Sequence, residues 1–280
     1  MEIVFNKVSY VINKGTPLEK TILNDVSFSI TEEGIYSFIG ASNSGKSAIG
    51  DSINAQCTPT KGEVKIGKYK INNIGPRNLK KLRFETGYVY KNPYDMFFNK
   101  TVGEEISFAM HQFDYKTKRG DLRVVDALKL VGLDDNYLDI DPMTLNIRDA
   151  KKVALACILI YNPKIIILDE FTNGLTTDDK NELVRLLRVL KNKYRKIIIL
   201  LSKDTSFCYG VSDHIYLMSL TRMVRHGKKD ILEDEELLSE INLPLPRIVE
   251  FVNTCNKKGH EINQYTNILD LIKGVYNDVF

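Results

Sequence analysis

The fold is decided by the stretch Gly40-Ala41-Ser42-Asn43-Ser44-Gly45-Lys46-Ser47. It fits the pattern G-x-x-x-x-G-K-[ST], in which glycines let successive backbone N–H groups face one phosphate. In that pattern Lys46 brings positive charge to the β and γ phosphates, and Ser47 offers a hydroxyl to Mg²⁺. A flexible Gly/Ser loop could carry the same eight residues by chance, so the flanking sequence has to decide.

The flanking segments favour a phosphate-binding loop. An apolar run at 35–39 precedes the motif, and a helix-compatible run at 48–53 follows it. A helix at that place points its positive N-terminus toward the same phosphate. We therefore predict that all eight residues from Gly40 to Ser47 bind the phosphates of a nucleotide.

A second apolar run, 164–168, ends abruptly in the two carboxylates Asp169 and Glu170. In open α/β sheets the ligand lies at the carboxyl ends of the strands. Asp169 is thus a candidate, with Ser47, to hold Mg²⁺. Glu170 is a candidate catalytic base that polarises the attacking water. A solvated strand end would explain the pair equally well if the phosphate loop were absent.

The rest of the chain alternates strand and helix patterns, which predicts an α/β fold. The segments that carry these patterns are an alternating strand at 26–30, a hairpin about Gly67-Lys68, helical patterning from about 95 to 160, a leucine-faced helix over 183–190, buried strands at 197–201 and 215–218, and amphipathic helices at the end. The first ninety residues are predicted to be mostly strands and turns.

Composition narrows the class of protein. The chain has 280 residues, is 43% hydrophobic and carries a net charge of only +3. No basic tract indicates nucleic acid as a partner. The four cysteines have no metal-ligand spacing and are expected to be reduced thiols of a cytosolic protein. No signal peptide is evident, and no apolar run approaches the roughly 20 residues of a membrane span. Any membrane association is therefore expected to go through a partner.

Several segments carry a resemblance to a known family. They are Val8-Ser9-Tyr10, Leu23-Asn24-Asp25-Val26, Tyr88-Val89-Tyr90-Lys91-Asn92-Pro93, Leu168-Asp169-Glu170-Phe171-Thr172-Asn173-Gly174-Leu175, and the tail segments Leu243-Pro244-Leu245-Pro246, Lys258-Gly259 and Ile268-Leu269. They resemble the ABC transporter ATPases. More narrowly, they are similar to the ATPase A subunits of energy-coupling factor importers of vitamins and metal ions.

The resemblance implies an architecture and ligands. An ABC-type P-loop NTPase core, with a mixed sheet flanked by helices and an antiparallel β subdomain, would fill an ATP-binding domain over 1–235. A helical subdomain would span about 95–160, and 236–280 would form a C-terminal helical extension. ATP and Mg²⁺ would be the ligands.

The resemblance also implies partners. In this family two ATPase subunits form a head-to-tail dimer, with ATP between the phosphate loop of one chain and the signature motif of the other. A transmembrane subunit and a substrate-binding membrane protein complete the importer. We therefore expect a second ABC ATPase, a paralogue, and a location at the cytoplasmic face of the membrane. A soluble ABC ATPase of translation or DNA repair is disfavoured, because neither a second core nor a long coiled-coil insertion is present.

The chain departs from the family at its accessory positions. The signature motif, normally L-S-G-G-Q, is Leu145-Asn146-Ile147-Arg148-Asp149, and Thr176 replaces the D-loop aspartate. Ile147 and Arg148 carry Cβ atoms where the family backbone approaches a phosphate closely. The motif is therefore not expected to close over a partner's ATP.

Two lysines replace polar residues expected beside the phosphates. Lys91 stands for the Q-loop glutamine and Lys203 for the switch histidine, and both are predicted to lie near the nucleotide. Lys203 would either pair with Glu170 and neutralise it as a base, or reflect drift. At the adenine-stacking position Ile12 replaces an aromatic residue, for which Tyr10 could substitute.

Two functions stay open at this stage. The chain is either an ATP-binding subunit that couples ATP binding and slow hydrolysis to import, or a catalytically weak or inactive nucleotide-binding scaffold beside an active paralogue. Losing one preorganised contact to a transition state costs roughly 10²–10³-fold in rate, so its own site is expected to be slow.

Overall fold

A computed structural model describes residues 1–112, 120–260, 262–263, 265 and 270–274. The strands in this part of the chain are β1 (Ile3–Ile12), β2 (Lys20–Ile30), β3 (Gly34–Gly40), β4 (Lys61–Ile66), β5 (Tyr69–Lys70), β6 (Thr86–Val89), β7 (Ile165–Asp169), β8 (Ile197–Ser202), β9 (His214–Ser219) and β10 (Arg222–Gly227). The helices are α1 (Lys46–Ile53), α2 (Pro76–Glu85), α3 (Val102–Gln112), α4 (Gly120–Leu130), α5 (Ile147–Leu159), α6 (Thr177–Asn192), α7 (Thr205–Val211), α8 (Glu235–Glu240) and α9 (Arg247–Lys257).

The strands form two sheets. The smaller is antiparallel in the order β2-β1-β4-β5, and the larger is mixed in the order β10-β9-β3-β8-β7-β6. Strands β9, β3, β8, β7 and β6 run parallel, and β10 pairs antiparallel with β9 at the edge. The α/β fold with a mixed sheet and an antiparallel β subdomain is thus confirmed.

Apolar residues on both faces of the larger sheet build two cores. On β7, Ile166 and Leu168 pack with α5 and α6, whereas Ile165 and Ile167 pack toward the smaller sheet. A strand buried on both faces needs a continuous apolar run rather than an alternating one. The sequence 165–168 supplies that run.

Helices α3, α4 and α5 follow β6 and precede β7 in the sequence. They pack together, as the helical patterning predicts. Each pair among the three helices is in contact. Helix α5 is the central one: Val153, Ala156 and Cys157 share the predicted face and are buried.

Beyond β10 the described chain is helical, with α8, α9 and a turn of helix at 270–274. The boundary at 235/236 stays a prediction, and the tail pair Ile268-Leu269 lies outside the described residues. In the described ranges no helix combines the length and apolarity that a bilayer crossing requires.

Helix α2 departs from the predicted pattern of strands and turns in the first ninety residues. Pro76 is its first residue, where a missing N–H costs nothing, and Leu82 is its one buried residue. A helix with a single buried residue shows almost no repeat of apolar residues in its sequence. The proline at its first position was therefore the feature that could have indicated it.

We expect Gly87→Ala to destabilise the fold where β6 passes beneath α5. A Cβ at Gly87 would lie 2.0 Å from Ile158 Cγ2, and such overpacking costs about 1–3 kcal/mol. Gly75→Ala is the matched control, because nothing lies within 4 Å of its Cβ, and it should cost less than about 1 kcal/mol. Urea denaturation measures both, and equal effects would contradict the packing of α5 on β6.

Candidate functional site

The phosphate loop connects β3 to α1, and its backbone requires glycine at two places. Gly45 caps α1 with a φ of 97°, a left-handed conformation that side chains rarely adopt. A Cβ at Gly40 would lie 2.3 Å from the carbonyl oxygen of Met218. The loop therefore keeps the shape in which its N–H groups and the N-terminus of α1 face one cavity.

Lys46 folds back over this loop. Its Nζ donates to the carbonyl oxygens of Gly40 at 2.6 Å and Ala41 at 2.9 Å, and the Ser44 hydroxyl lies 3.4 Å away. Burial lowers the pKa of Lys46, while the nearby carboxylates of Glu170 and Asp169 oppose that effect. The ammonium is thus preorganised within the loop by acceptors that an incoming phosphate could replace.

The same cavity collects most of the predicted phosphate-binding residues. Its lining comprises Lys20, Thr21, Ile22, Ser42, Asn43, Ser44, Gly45, Lys46, Ser47, Ala48, Lys91 and Glu170. Gly40 and Ala41 lie directly behind it as acceptors for Lys46. Their roles toward a nucleotide remain predictions.

Asp169 lies at the end of β7 with one free oxygen. Its Oδ2 accepts from the Tyr88 hydroxyl at 3.2 Å, whereas Oδ1 is buried without a partner among the described residues. Burial raises the pKa of Asp169, and hydrogen bonds from Ser47 and Tyr88 act in the opposite direction. A buried orphan oxygen beside a hydroxyl fits a Mg²⁺ site built from Ser47 and Asp169.

Asp51 on α1 is an acidic neighbour that the sequence did not single out. Burial raises the pKa of Asp51 to about 6, the nearby Tyr88 hydroxyl opposes this, and the charge of Asp169 adds to it. Tyr88 has room beside α1 because Gly50 lacks a side chain there: a Cβ would lie 2.9 Å from the Tyr88 hydroxyl.

Glu170 sits in a left-handed backbone conformation, with a φ of 45°. Its N–H donates to the Leu201 carbonyl at 2.8 Å, its Oε1 lies 3.8 Å from Lys46 Nζ, and its Oε2 accepts from the Asn173 amide at 3.3 Å. Strained backbone held by such contacts is typical of functional sites. The carboxylate is therefore placed beside the phosphate loop, and its role as a catalytic base stays a prediction.

Lys151 on α5 holds the turn that follows Glu170. Its side chain is buried, and Nζ donates to the carbonyl oxygens of Glu170 at 2.9 Å, Phe171 at 3.0 Å and Asn173 at 2.7 Å. Burial lowers the pKa of Lys151 to about 8, against the attraction of Glu170 and Asp169. Sequence reasoning missed this lysine, although it shares a helix face with the buried Ala154 and Ile158.

Comparison with known proteins identifies the family and the fold. A family model described as ABC transporter matches residues 23–173, more than half of the chain. The chain belongs to the ABC transporter family. A solved dimeric ATP-binding cassette with ADP and phosphate bound has the same fold, with a TM-score of 0.75 at 23% identity over 81% of this chain and 98% of that one.

Curated relatives of this chain belong to one group within the ABC transporter family. An energy-coupling factor transporter ATP-binding protein of Caldanaerobacter subterraneus is 31% identical over 92% of this chain and 91% of its own length. Another from Oenococcus oeni is 31% identical over 94% and 92%. The solved cbiO1 of Clostridium perfringens, described as part of the ABC transporter complex cbiONQ, is 25% identical with a TM-score of 0.73, over 90% of this chain and 98% of that one.

The two lysines that depart from the ABC family pattern have different surroundings. Lys91 lines the phosphate cavity. Lys203 is exposed just beyond β8, and no ion pair joins it to Glu170 within the described ranges. The predicted pairing of Lys203 with Glu170 is therefore wrong, since the carboxylate lies against Lys46 instead.

Neither of the two residues considered for stacking on a base, Ile12 and Tyr10, lines the phosphate cavity of this ABC-family chain. Ile12 pairs with Lys20 across β1 and β2, and Lys20 lines the phosphate cavity. Tyr10 packs instead against the core under the smaller sheet. No aromatic ring is found among the described residues that line the cavity.

The signature segment of this ABC-family chain is hydrogen-bonded by its own side chains. Asn146 caps α5, its Oδ1 accepting from the Asp149 N–H at 3.0 Å and its amide donating to Asp149 Oδ2 at 2.7 Å. Tyr137 donates to the same oxygen at 3.1 Å, and Arg148 Nε lies 3.2 Å from Oδ1. The buried carboxylate of Asp149 thus lies at the N-terminus of α5, where a negative charge is stabilised by the helix dipole.

Thr176, at the position of the D-loop aspartate, caps α6. Its hydroxyl accepts from the Asp179 N–H at 3.2 Å and its own N–H donates to Asp179 Oδ2 at 3.0 Å, which together form a capping box. The hydroxyl also donates to Asp179 Oδ2 at 2.6 Å. Arg148 reaches the same carboxylate at 3.9 Å, and Lys152 lies 3.1 Å from its other oxygen. The segments that would face a partner's nucleotide are thus bound to each other.

We expect Lys151→Met to loosen the turn after β7. It would remove a donor from three carbonyl oxygens, of which only that of Glu170 keeps another in the described chain, the Asn173 N–H, and the expected cost is about 1–3 kcal/mol. Hydrogen exchange of residues 170–175 should rise well above that of the wild type. Lys193→Met, which changes an exposed lysine at the end of α6, is the control, and equal exchange in both variants would contradict the role of Lys151.

We expect the unfolding free energy to depend on pH through Asp51. Because its folded pKa of about 6 lies above its unfolded value, the folded state binds more protons between about pH 4 and 6, and stability falls as pH rises through that window. Asp51→Asn should therefore match the wild type near pH 4 and be about 1–2 kcal/mol more stable near pH 7, after allowance for solvent screening. Urea midpoints at both values measure this, and a difference independent of pH would contradict it.

Proposed function

We propose that the chain is an ATP-binding subunit of an energy-coupling factor importer, which couples ATP binding and hydrolysis to uptake of a vitamin or metal ion. The observation that carries the proposal is the preorganised phosphate loop beside Asp169 and Glu170, in a chain whose curated relatives have that name. The cargo would be chosen by another polypeptide.

The partners follow from the asymmetry of the chain. Its phosphate loop is open, whereas its signature helix is capped by Asn146 and Asp149. Such a chain needs a second ABC ATPase, a paralogue with an intact signature motif, to close over its nucleotide. A transmembrane subunit and a substrate-binding membrane protein would hold the pair at the cytoplasmic face of the membrane.

Within such a pair, hydrolysis would run through this chain's own carboxylate. The partner's phosphate loop would face the capped end of α5, where Asp149 repels a phosphate. The loop of this chain would face the intact signature motif, with Ser47 and Asp169 as the Mg²⁺ ligands and Glu170 as the base. Mg²⁺ supplies neutralisation of the β and γ phosphates when it is bound.

The second candidate function is a non-catalytic nucleotide-binding scaffold. The capped signature helix favours it, and so does Lys203 at the position where the family has a histidine. A lysine cannot exchange a proton near neutral pH as an imidazole can. The retained carboxylate of Glu170 favours the first function.

The test is gentle purification of the tagged chain from its own membranes. We expect a second ABC ATPase with an intact L-S-G-G-Q motif and a polytopic membrane protein to come with it. Recovery of the chain alone, or as a homodimer, would contradict the proposal.

ATP turnover of the purified complex separates the two functions. Glu170→Gln should lower it by about tenfold or more, because general-base catalysis contributes at least that much. Glu240→Gln, an exposed change on α8, should leave it unchanged. Turnover that survives Glu170→Gln would favour the scaffold.

A further inference from the structure

Lys196 is a buried cation that the nucleotide site does not use. It lies immediately before β8, and only 6% of its surface is exposed. Its Nζ donates to the carbonyl oxygen of Asn162 at 3.1 Å, and no carboxylate of the described residues forms an ion pair with it. A lysine is rarely buried to this degree without an anionic partner.

The charges around Lys196 leave its ammonium uncompensated. Burial lowers the pKa of Lys196, and the charge of Lys164 acts in the same direction. Lys164 is itself paired with Glu85 at 3.1 Å. An ammonium has three donors, of which the Asn162 carbonyl accepts one. Two donors and a positive charge therefore remain for an anion or for water.

The side chain of Lys196 lines a cavity of about 270 Å³ that lies between α4, the end of α5 and α6. Arg123 adds a second cation to the wall. Asp126 is the acidic residue of the lining, but it is exposed and forms no ion pair with Lys196 in the described ranges. The apolar part of the wall consists of Ala127, Leu130, Leu159, Ile160, Pro163 and Leu190.

An apolar cavity with an ammonium at one wall fits a small monocarboxylate with an apolar body. The carboxylate accepts the charge-assisted hydrogen bonds that the ammonium can still donate. The apolar body is removed from water against the aliphatic side chains, which is favourable. A phosphate dianion would cost more to remove from water and would face these same apolar side chains.

We propose that this cavity binds a small monocarboxylate whose carboxylate group pairs with the ammonium of Lys196. The site lies at the edge of the sheet opposite the phosphate loop, because Pro163 and Lys196 precede β7 and β8, whose other ends carry Asp169 and Ser202. The inference is therefore independent of the proposed function, and failure of either one leaves the other standing.

The test is methyl NMR of the purified, ¹³C-labelled chain titrated with octanoate. The methyl signals of Leu130, Ile160 and Leu190 should shift and saturate, with a dissociation constant below about 1 mM. The methyl signals of Ile22, which lines the phosphate cavity, should not shift. Octanol has the same number of carbon atoms without the charge, so it should bind at least about tenfold more weakly.

A pair of variants tests the ammonium itself. Lys196→Met removes the charge and keeps the unbranched side chain. It should weaken octanoate binding at least about tenfold and leave octanol binding within about threefold of the wild type. Lys193→Met changes an exposed lysine three residues away and should bind octanoate as the wild type does. If Lys196→Met does not fold, the comparison of octanoate with octanol on the wild type still decides.

Three outcomes would overturn the proposal. Absence of saturable shifts up to about 10 mM octanoate would mean that water alone satisfies the ammonium of Lys196. Equal affinity for octanoate and octanol, or for Lys196→Met and the wild type, would overturn the pairing of the carboxylate with the ammonium. Shifts at Ile22 without shifts at Ile160 would place the carboxylate at the phosphate loop instead.

Discussion

Parallel pairing of β3, β8 and β7 is the constraint on which the site depends. Ile39 is level with Ser202 in β8, and Leu201 is level with Asp169 in β7. The three strands therefore end at the same height, and the phosphate loop, the carboxylates and the segment with Lys203 emerge side by side. A one-residue slip in this register would turn Asp169 to the other face of the sheet.

In the proposed dimer, nucleotide binding and closure depend on different parts of this chain. Binding needs the backbone of the phosphate loop and Lys46, and both are in place. Closure needs a helix N-terminus that is free to receive a phosphate, and in α5 that end is satisfied by Asn146 and Asp149. The same substitutions that remove the signature motif thus create a well-capped, stable helix, with Thr176 capping α6 beside it.

Features that depend on local pattern could be predicted from the sequence, and features that depend on side-chain competition could not. The continuous apolar run predicted the strand β7 and its place in the sequence. The motif around Lys46 likewise predicted the phosphate loop and its place. Pairing of Lys203 with Glu170 was one of two alternatives left open, and the neighbour found is Lys46, because distances across a loop are set by the whole sheet. Lys151 was missed because a charged residue on an apolar helix face is only explained once its carbonyl acceptors are known. The helix beginning at Pro76 was missed because it buries too few apolar residues to show the helical repeat in its sequence.

The most direct test of the account is the number of nucleotides occluded by the complex of this chain with its partner ATPase. Native mass spectrometry after rapid removal of free ATP measures it. The account expects one occluded nucleotide, bound on the phosphate loop of this chain and lost in a Lys46→Ala variant. Two occluded nucleotides would contradict it, because the second would have to close over the capped signature helix. One nucleotide that survives Lys46→Ala would also contradict it, since it would then be bound by the partner.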